Sequence, residues 1–136
     1  SISAKTQIVL DDLNAIARTA FTFDFHIIAT VMVWHPSPRT NDNGSLMALS
    51  IINDMFDLGD FVGGLLLVSS NQKYPLHQHS PQELYLILSG EADWRYGGSE
   101  DYRRLVPGNI LYNNPDDIHG VNTNNEALLA LYILWQ

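Results

Sequence analysis

From residue 60 onward, short apolar runs rich in β-branched and aromatic residues alternate with turns made of Gly, Pro and Asn. The turns recur roughly every eight to twelve residues, a spacing typical of an antiparallel sandwich or barrel. Gly, Pro and Asn suit such turns because each stabilises backbone angles that close a chain reversal. The predicted strands span residues 61–69, 83–89, 91–96, 102–106, 110–112, 118–122 and 127–135.

The pattern before residue 60 is different. Residues 11–21 carry apolar side chains at helical spacing after two acids, which predicts a short helix. Residues 22–34 favour a strand by composition, with continuation of that helix as the alternative. Residues 35–44 have the composition of a loop, and residues 45–56 show a weak helical pattern. We therefore predict a partly helical N-terminal arm at residues 1–59 that packs on a β-barrel at residues 60–136.

Composition narrows the class of protein. A chain of 136 residues with 46% hydrophobic and 16% charged residues predicts one domain with a substantial core. Its net charge of −8 argues against nucleic acid or an anionic membrane as partner and favours a small neutral or cationic ligand. The apolar run 25–34 is too short to cross a bilayer and follows no basic segment, so we expect a cytoplasmic protein. Cysteine is absent, which excludes thiolate ligands and thiol nucleophiles.

Residues 74–90 combine metal-binding side chains with strand patterning. His77, His79, Glu83 and Tyr85 share one parity, so a continuous extended strand would direct all four to one face. Two neutral imidazoles and a carboxylate suit one divalent transition metal, with Zn, Fe, Mn and Ni all compatible. A buried cluster of unpaired titratable groups is costly unless a cation satisfies it, which favours a metal site over a structural role.

A fourth ligand is expected from elsewhere in the chain. His119 is the best candidate because it is the only histidine downstream of the cluster. His26 and His35 are interpreted as structural or surface residues.

These residues also resemble the two motifs of the cupin superfamily. His77, His79, Glu83 and Gly90 are similar to the first motif, and a second set is similar to the next motif, namely Gly108, Pro115, His119 and Asn122. The resemblance covers residues 63–133. It implies an all-β fold, a double-stranded β-helix of the jelly-roll type, with the metal inside the barrel on His77, His79, Glu83 and His119.

Two tyrosines refine the resemblance. Tyr74, three residues before the first His, and Tyr85, two residues after Glu83, are similar to the pair found in cupin-type dimethylsulfoniopropionate lyases. These enzymes split a zwitterionic sulfonium carboxylate into acrylate and dimethyl sulfide by β-elimination. The resemblance therefore implies a carbon–sulfur lyase acting on a small zwitterionic or carboxylate substrate.

The chemistry of such an elimination assigns roles to both tyrosines. A base must remove the proton α to the substrate carboxylate, and a nearby cation favours the phenolate that could do so. Tyr85 is the predicted base, and Tyr74 is predicted to orient the substrate or shield it. An aromatic face could bind the sulfonium by a cation–π contact, and the candidates are Trp94, Tyr96, Tyr112 and Trp135.

Two other functions are compatible with the same motifs. One is a metal-dependent oxygenase or isomerase of the cupin type, for which Arg103 or Arg104 could point inward to hold an anionic co-substrate. The other is a ligand-binding cupin without catalytic activity. In each case the apolar C-terminal run 127–135 would suit a homodimer face.

Overall fold

The computed structural model describes residues 34–36, 47–54 and 57–136. Ten strands and one 3-10 helix at Ile52–Asp54 occur in these ranges. The strands are β1 (His35–Pro36), β2 (Met47–Ile51), β3 (Val62–Val68), β4 (Lys73–His77), β5 (Gln82–Ser89), β6 (Ala92–Arg95), β7 (Arg103–Leu105), β8 (Ile110–Asn113), β9 (His119–Thr123) and β10 (Leu128–Trp135). Within the described ranges, no helix is long and apolar enough to cross a membrane.

The strands form two antiparallel sheets. The larger sheet has the order β1-β2-β3-β10-β5-β8, and the smaller has the order β4-β9-β6-β7. Side chains from both sheets meet in one buried cluster, which includes Leu66, Tyr85 and Ile87 from the larger sheet and Trp94 and Val121 from the smaller. The predicted all-β jelly-roll architecture is confirmed.

The central strands of the larger sheet are buried on both faces. Glu83, Tyr85 and Ile87 of β5 point into the barrel, as their alternating burial shows. Leu88 points to the opposite face, where a second buried cluster contains Leu65, Leu67 and Leu129. Burial of both faces explains why these strands are nearly continuous in apolar residues.

Gly90 ends β5 for a steric reason. Its φ is +85°, and a Cβ at this position would lie 2.0 Å from the carbonyl oxygen of Ala127. Only glycine fits this close approach, which lets the chain reverse toward β6.

The weak helical pattern at residues 45–56 predicted a helix there, and this prediction was wrong. Met47–Ile51 forms β2, which pairs with β3 from Met47↔Val68 to Ile51↔Gly64. A short amphipathic segment has little intrinsic helical stability, so an available sheet edge decides its structure. β1 likewise occupies the start of a predicted loop. The helix predicted at residues 11–21 lies outside the described residues.

The sequence also failed to reveal β4. Lys73–His77 contains Pro75, which cannot donate to a strand ladder and argues against a strand. The structure accommodates it with a register shift between Tyr74 and His77 in the pairing with β9. His77 therefore ends β4 in the smaller sheet, whereas Glu83 lies in β5 of the larger sheet. The assumption of one continuous strand was wrong.

Candidate metal centre

Two of the histidines are neighbours across a pair of strands. His77 in β4 is the direct partner of His119 in β9, and their ring centroids are 4.2 Å apart. Gly120 permits this, since a Cβ there would lie 3.0 Å from the carbonyl oxygen of Tyr74. The absence of that side chain lets β4 lie close to β9 and brings the two imidazoles together.

His79 reaches the same point from the connection between the two sheets. Its ring centroid lies 4.9 Å from that of His119. The backbone N–H of Asp116 donates to the carbonyl oxygen of His79 at 2.9 Å, which ties the two histidine-bearing segments together. One nitrogen from each of His77, His79 and His119 lies within 4.8 Å of the others.

All three rings use Nδ1 in the same way. The Nδ1 atoms of His77, His79 and His119 contact the backbone carbonyl oxygens of Pro75, Pro81 and Asp117 at 2.7, 2.9 and 2.8 Å. A carbonyl oxygen only accepts, so each Nδ1 carries the hydrogen and each neutral ring has its lone pair on Nε2. This is how ligating histidines are oriented in metal sites.

Glu83 adds a carboxylate to the cluster. It is 4% exposed, and its Oε1 lies 3.0 Å from His119 Nε2 and 3.5 Å from His79 Nε2. Burial raises the pKa of Glu83, whereas hydrogen bonds from His119 and His79 and positive charge on their rings would lower it to about 2. The carboxylate form of Glu83 is therefore stable only beside a compensating positive charge.

Glu83 Oε1 and His119 Nε2 are close enough for a hydrogen bond, but their geometry does not form one. Glu83 Oε1 and His119 Nε2 are both buried, and neither has a hydrogen-bond partner. With Nδ1 already donating, the two facing atoms are both acceptors, and such a pair needs a proton or a metal cation between them. Three imidazole nitrogens and one carboxylate oxygen fit a divalent transition metal.

A pocket opens directly onto this cluster. Its volume is about 120 Å³. An apolar cavity of about 150 Å³ in another protein encloses benzene, so this open pocket takes a small ligand or one end of it. Its lining consists of the three upstream metal-ligand candidates, three tyrosines and one leucine, namely His77, His79, Glu83, Tyr74, Tyr85, Tyr132 and Leu134.

Tyr85 lies at the inner wall of the pocket, where it is 5% exposed. Its ring packs on Trp94 with centroids 5.0 Å apart. Burial, together with the negative charge of Glu83 and a hydrogen bond to it, raises the pKa of Tyr85 well above the ordinary value for a phenol. The Tyr85 hydroxyl therefore keeps its proton in this environment, chiefly because it is buried.

Tyr132 and Leu134 were missed by the sequence reasoning. They are the direct cross-strand partners of Tyr85 and Glu83 in the pairing of β10 with β5. Burial, with smaller contributions from Glu83 and Tyr74, raises the pKa of Tyr132 to about 12. The alternation along β10 would have identified both residues, but only once its register against β5 was known.

The four aromatic residues predicted as sulfonium binders do not line the pocket. Trp94 is buried behind Tyr85, and Tyr96 lies beneath the guanidinium of Arg103 at 5.5 Å. Tyr112 and Trp135 contact each other on the outer face of the larger sheet, with centroids 6.0 Å apart. The aromatic walls of the pocket are instead Tyr74, Tyr85 and Tyr132.

Neither arginine of β7 reaches the pocket. Arg103 and Arg104 are both exposed, and Arg104 pairs with Asp93 at 2.7 Å. Among the described residues that line the pocket there is no lysine or arginine. Neither arginine can hold an anionic co-substrate in the pocket. The oxygenase or isomerase interpretation therefore loses this support.

Comparisons with known proteins agree with this geometry. The chain is 38% identical over 63 residues to dimethylsulfoniopropionate lyase DddQ of Ruegeria pomeroyi, a match that covers 46% of this chain and 30% of that protein. Less than a third of the length of that relative is therefore matched.

Solved structures show the same fold. The crystal structure of DddQ from Ruegeria pomeroyi aligns with a TM-score of 0.75 at 21% identity, covering 94% of this chain and 71% of the other. A cupin 2 conserved barrel domain protein from Rhodopseudomonas palustris aligns with a TM-score of 0.63 at 14% identity, covering 76% and 71%. The predicted cupin barrel is confirmed.

The family model for dimethylsulfoniopropionate lyase matches residues 56–130. This match spans β3 to β9 and the start of β10, and it includes all the metal-ligand candidates and both predicted catalytic tyrosines. Because more than half of the chain is matched, the chain belongs to the dimethylsulfoniopropionate lyase family.

Proposed function

We propose that this chain cleaves dimethylsulfoniopropionate to acrylate and dimethyl sulfide. The observation that carries the proposal is the convergence of three imidazole lone pairs and the Glu83 carboxylate beside a buried phenol, at a pocket that opens onto them. The family to which the chain belongs carries the name of this reaction.

The metal centre consists of His77, His79, Glu83 and His119 in this proposal. These residues hold one divalent transition metal, with Zn, Fe, Mn and Ni all compatible with the donor set. When bound, such an ion acts as a Lewis acid that stabilises negative charge developing on a substrate carboxylate.

Tyr85 is the general base. Its oxygen takes the proton α to the substrate carboxylate, the electrons of that C–H bond form the double bond of acrylate, and the Cβ–S bond breaks to release dimethyl sulfide. Burial beside anionic Glu83 opposes ionisation of the phenol. A cation held by the metal-binding residues would lower the pKa of Tyr85 and favour its phenolate form.

Tyr74 and Tyr132 bind and orient the substrate. Both rings line the pocket, and an aromatic face stabilises a nearby cation by about 0.5–2 kcal/mol. The sulfonium is the cationic end of the substrate, so these faces hold the leaving group. The absence of basic side chains from the described lining also favours a ligand with a cationic group.

The test is gas-phase detection of dimethyl sulfide from purified protein and dimethylsulfoniopropionate. The protein is first stripped with a chelator and then reconstituted separately with Zn²⁺, Fe²⁺, Mn²⁺ and Ni²⁺. We expect no product from the stripped protein and product after reconstitution with at least one ion. Absence of dimethyl sulfide under every condition, from protein shown to contain metal, would contradict the proposal.

A further inference from the structure

Asn113 occupies a special position relative to the metal centre. It is the last residue of β8 and the direct cross-strand partner of Glu83 in β5. Opposite residues in antiparallel strands project from the same face with Cβ atoms about 4.5–5.5 Å apart. Because Glu83 points into the barrel, Asn113 also points inward beside that carboxylate, and it is 0% exposed.

The oxygen of the Asn113 amide already accepts a hydrogen bond. Its Oδ1 accepts a hydrogen bond from the backbone N–H of Gly97 at 3.0 Å. This contact assigns the oxygen to the Gly97 side, so the NH₂ group points the other way. Asn113 Nδ2 is buried and has no hydrogen-bond partner.

A buried donor without an acceptor is rare and destabilising. Sequence alternation does not demand a polar residue here, because Leu111, two positions earlier on the same face, is an ordinary buried core residue. An apolar residue could fill the space at position 113. The retained amide therefore indicates a use for its N–H group.

The Glu83 carboxylate is the anionic acceptor directly across the strand pair. Carboxylates that ligate metals are themselves hydrogen-bonded, and these outer contacts orient the ligand. A neutral amide donor is suited to this task because it holds the carboxylate without competing for the metal.

We infer that Asn113 is a positioning residue for Glu83. No hydrogen bond joins the two side chains in this structure; when Glu83 turns one carboxylate oxygen to the metal, its other oxygen accepts from the Asn113 amide N–H. The inference rests on the metal centre of the proposed function. Asn113 does not line the pocket, so it acts through Glu83 and not on the substrate.

The test is the metal affinity of Asn113→Asp, measured by competition with a chromophoric chelator using Zn²⁺ or Co²⁺. Aspartate keeps the shape of the side chain and the oxygen that accepts from Gly97, and it replaces the N–H donor with an ionisable carboxylate oxygen. We expect the affinity to fall by about 10- to 100-fold, the usual effect of losing an outer contact to a ligand. Because the added charge itself attracts a cation, unchanged or tighter binding overturns the inference when the uncharged Asn113→Leu variant also binds metal as tightly as the parent.

Asn109→Asp is the matched control. Asn109 immediately precedes β8, and its Oδ1 also accepts from a backbone N–H, that of Val106 at 2.9 Å. The control thus adds the same charge, conserves the same kind of hydrogen bond and lies away from Glu83. We expect its metal affinity to equal that of the parent.

Asn113→Leu covers the case in which the aspartate variant does not fold. Leucine fills the volume without a donor, and thermal melting of the metal-free protein shows whether it is folded. A folded leucine variant that binds metal as tightly as the parent overturns the inference. Failure of the parent itself to bind metal would instead reject the metal centre, so the two failures are distinguishable.

Discussion

The two ends of the barrel interior are built by the same strands but differ in chemistry. On β9, His119 and Thr123 are both buried and lie four residues apart on one face. Thr123 Oγ1 donates to the carbonyl oxygen of Ser69 and accepts from the backbone N–H of Gln72 at 2.9 Å, so its hydrogen bonds are complete. His119 Nε2 faces Glu83 Oε1 with no hydrogen bond.

The same contrast occurs along β5. Glu83 and Tyr85 face the pocket, whereas Ile87, four residues after Glu83, is 0% exposed in an apolar layer. Burial of Ile87 stabilises the fold, while burial of an anion such as Glu83 costs free energy unless a cation compensates it. One end of the barrel is therefore built for stability and the other for binding. Substitutions at the two ends should affect different measurements.

The largest expected effect is loss of both metal and activity in His79→Ala. Removal of one of the four proposed ligands weakens metal binding, and elemental analysis of the purified variant measures the metal content directly. His35→Ala is the control, since His35 is exposed in β1. Full metal occupancy in His79→Ala would remove His79 from the ligand set.

Tyr85→Phe should lower kcat by roughly 10²- to 10⁴-fold, because it deletes the proposed base and keeps the ring that packs on Trp94. Metal content and melting temperature should barely change. Tyr112→Phe, on the outer face, removes a hydroxyl that bonds Gln82 and should leave kcat unchanged. Activity of Tyr85→Phe within a few-fold of the parent would transfer the role of base to another group, Tyr74 first.

Ile87→Ala tests the stability end of the barrel. Truncation of a fully buried aliphatic side chain should lower the free energy of unfolding by about 2–5 kcal/mol, measured by urea denaturation. Metal affinity of the folded variant should match that of the parent, since Ile87 does not line the pocket. A large loss of metal affinity at full folding would show that the two ends are not independent.

The smallest effect is expected at Tyr132. Tyr132→Leu removes an aromatic face worth about 0.5–2 kcal/mol to a cation, so kcat/KM should fall by roughly 2- to 30-fold. Tyr132→Phe keeps the face and should retain most of the activity. Equal losses in both variants would assign the contribution to the hydroxyl and not to the ring.

Much of the barrel was predictable from local patterning. Seven predicted strands correspond to β3, β5, β6, β7, β8, β9 and β10, because Gly, Pro and Asn turns separate strongly apolar runs. β2 was not predictable, because its pairing with β3 is a long-range contact that overrides a weak local preference. β4 was hidden by Pro75, whose missing donor is accommodated only by the register shift opposite β9.

By itself, the sequence determined which side chains were available for the site and the alternation that buries Glu83 and Tyr85. Side-chain alternation is a local property of an extended chain, so one strand suffices to reveal it. Only the tertiary structure decided how the histidines meet, because His77 and His119 are cross-strand partners in a different sheet from Glu83. It also decided that Tyr132 and Asn113 flank the site, since strand register depends on contacts between residues distant along the chain.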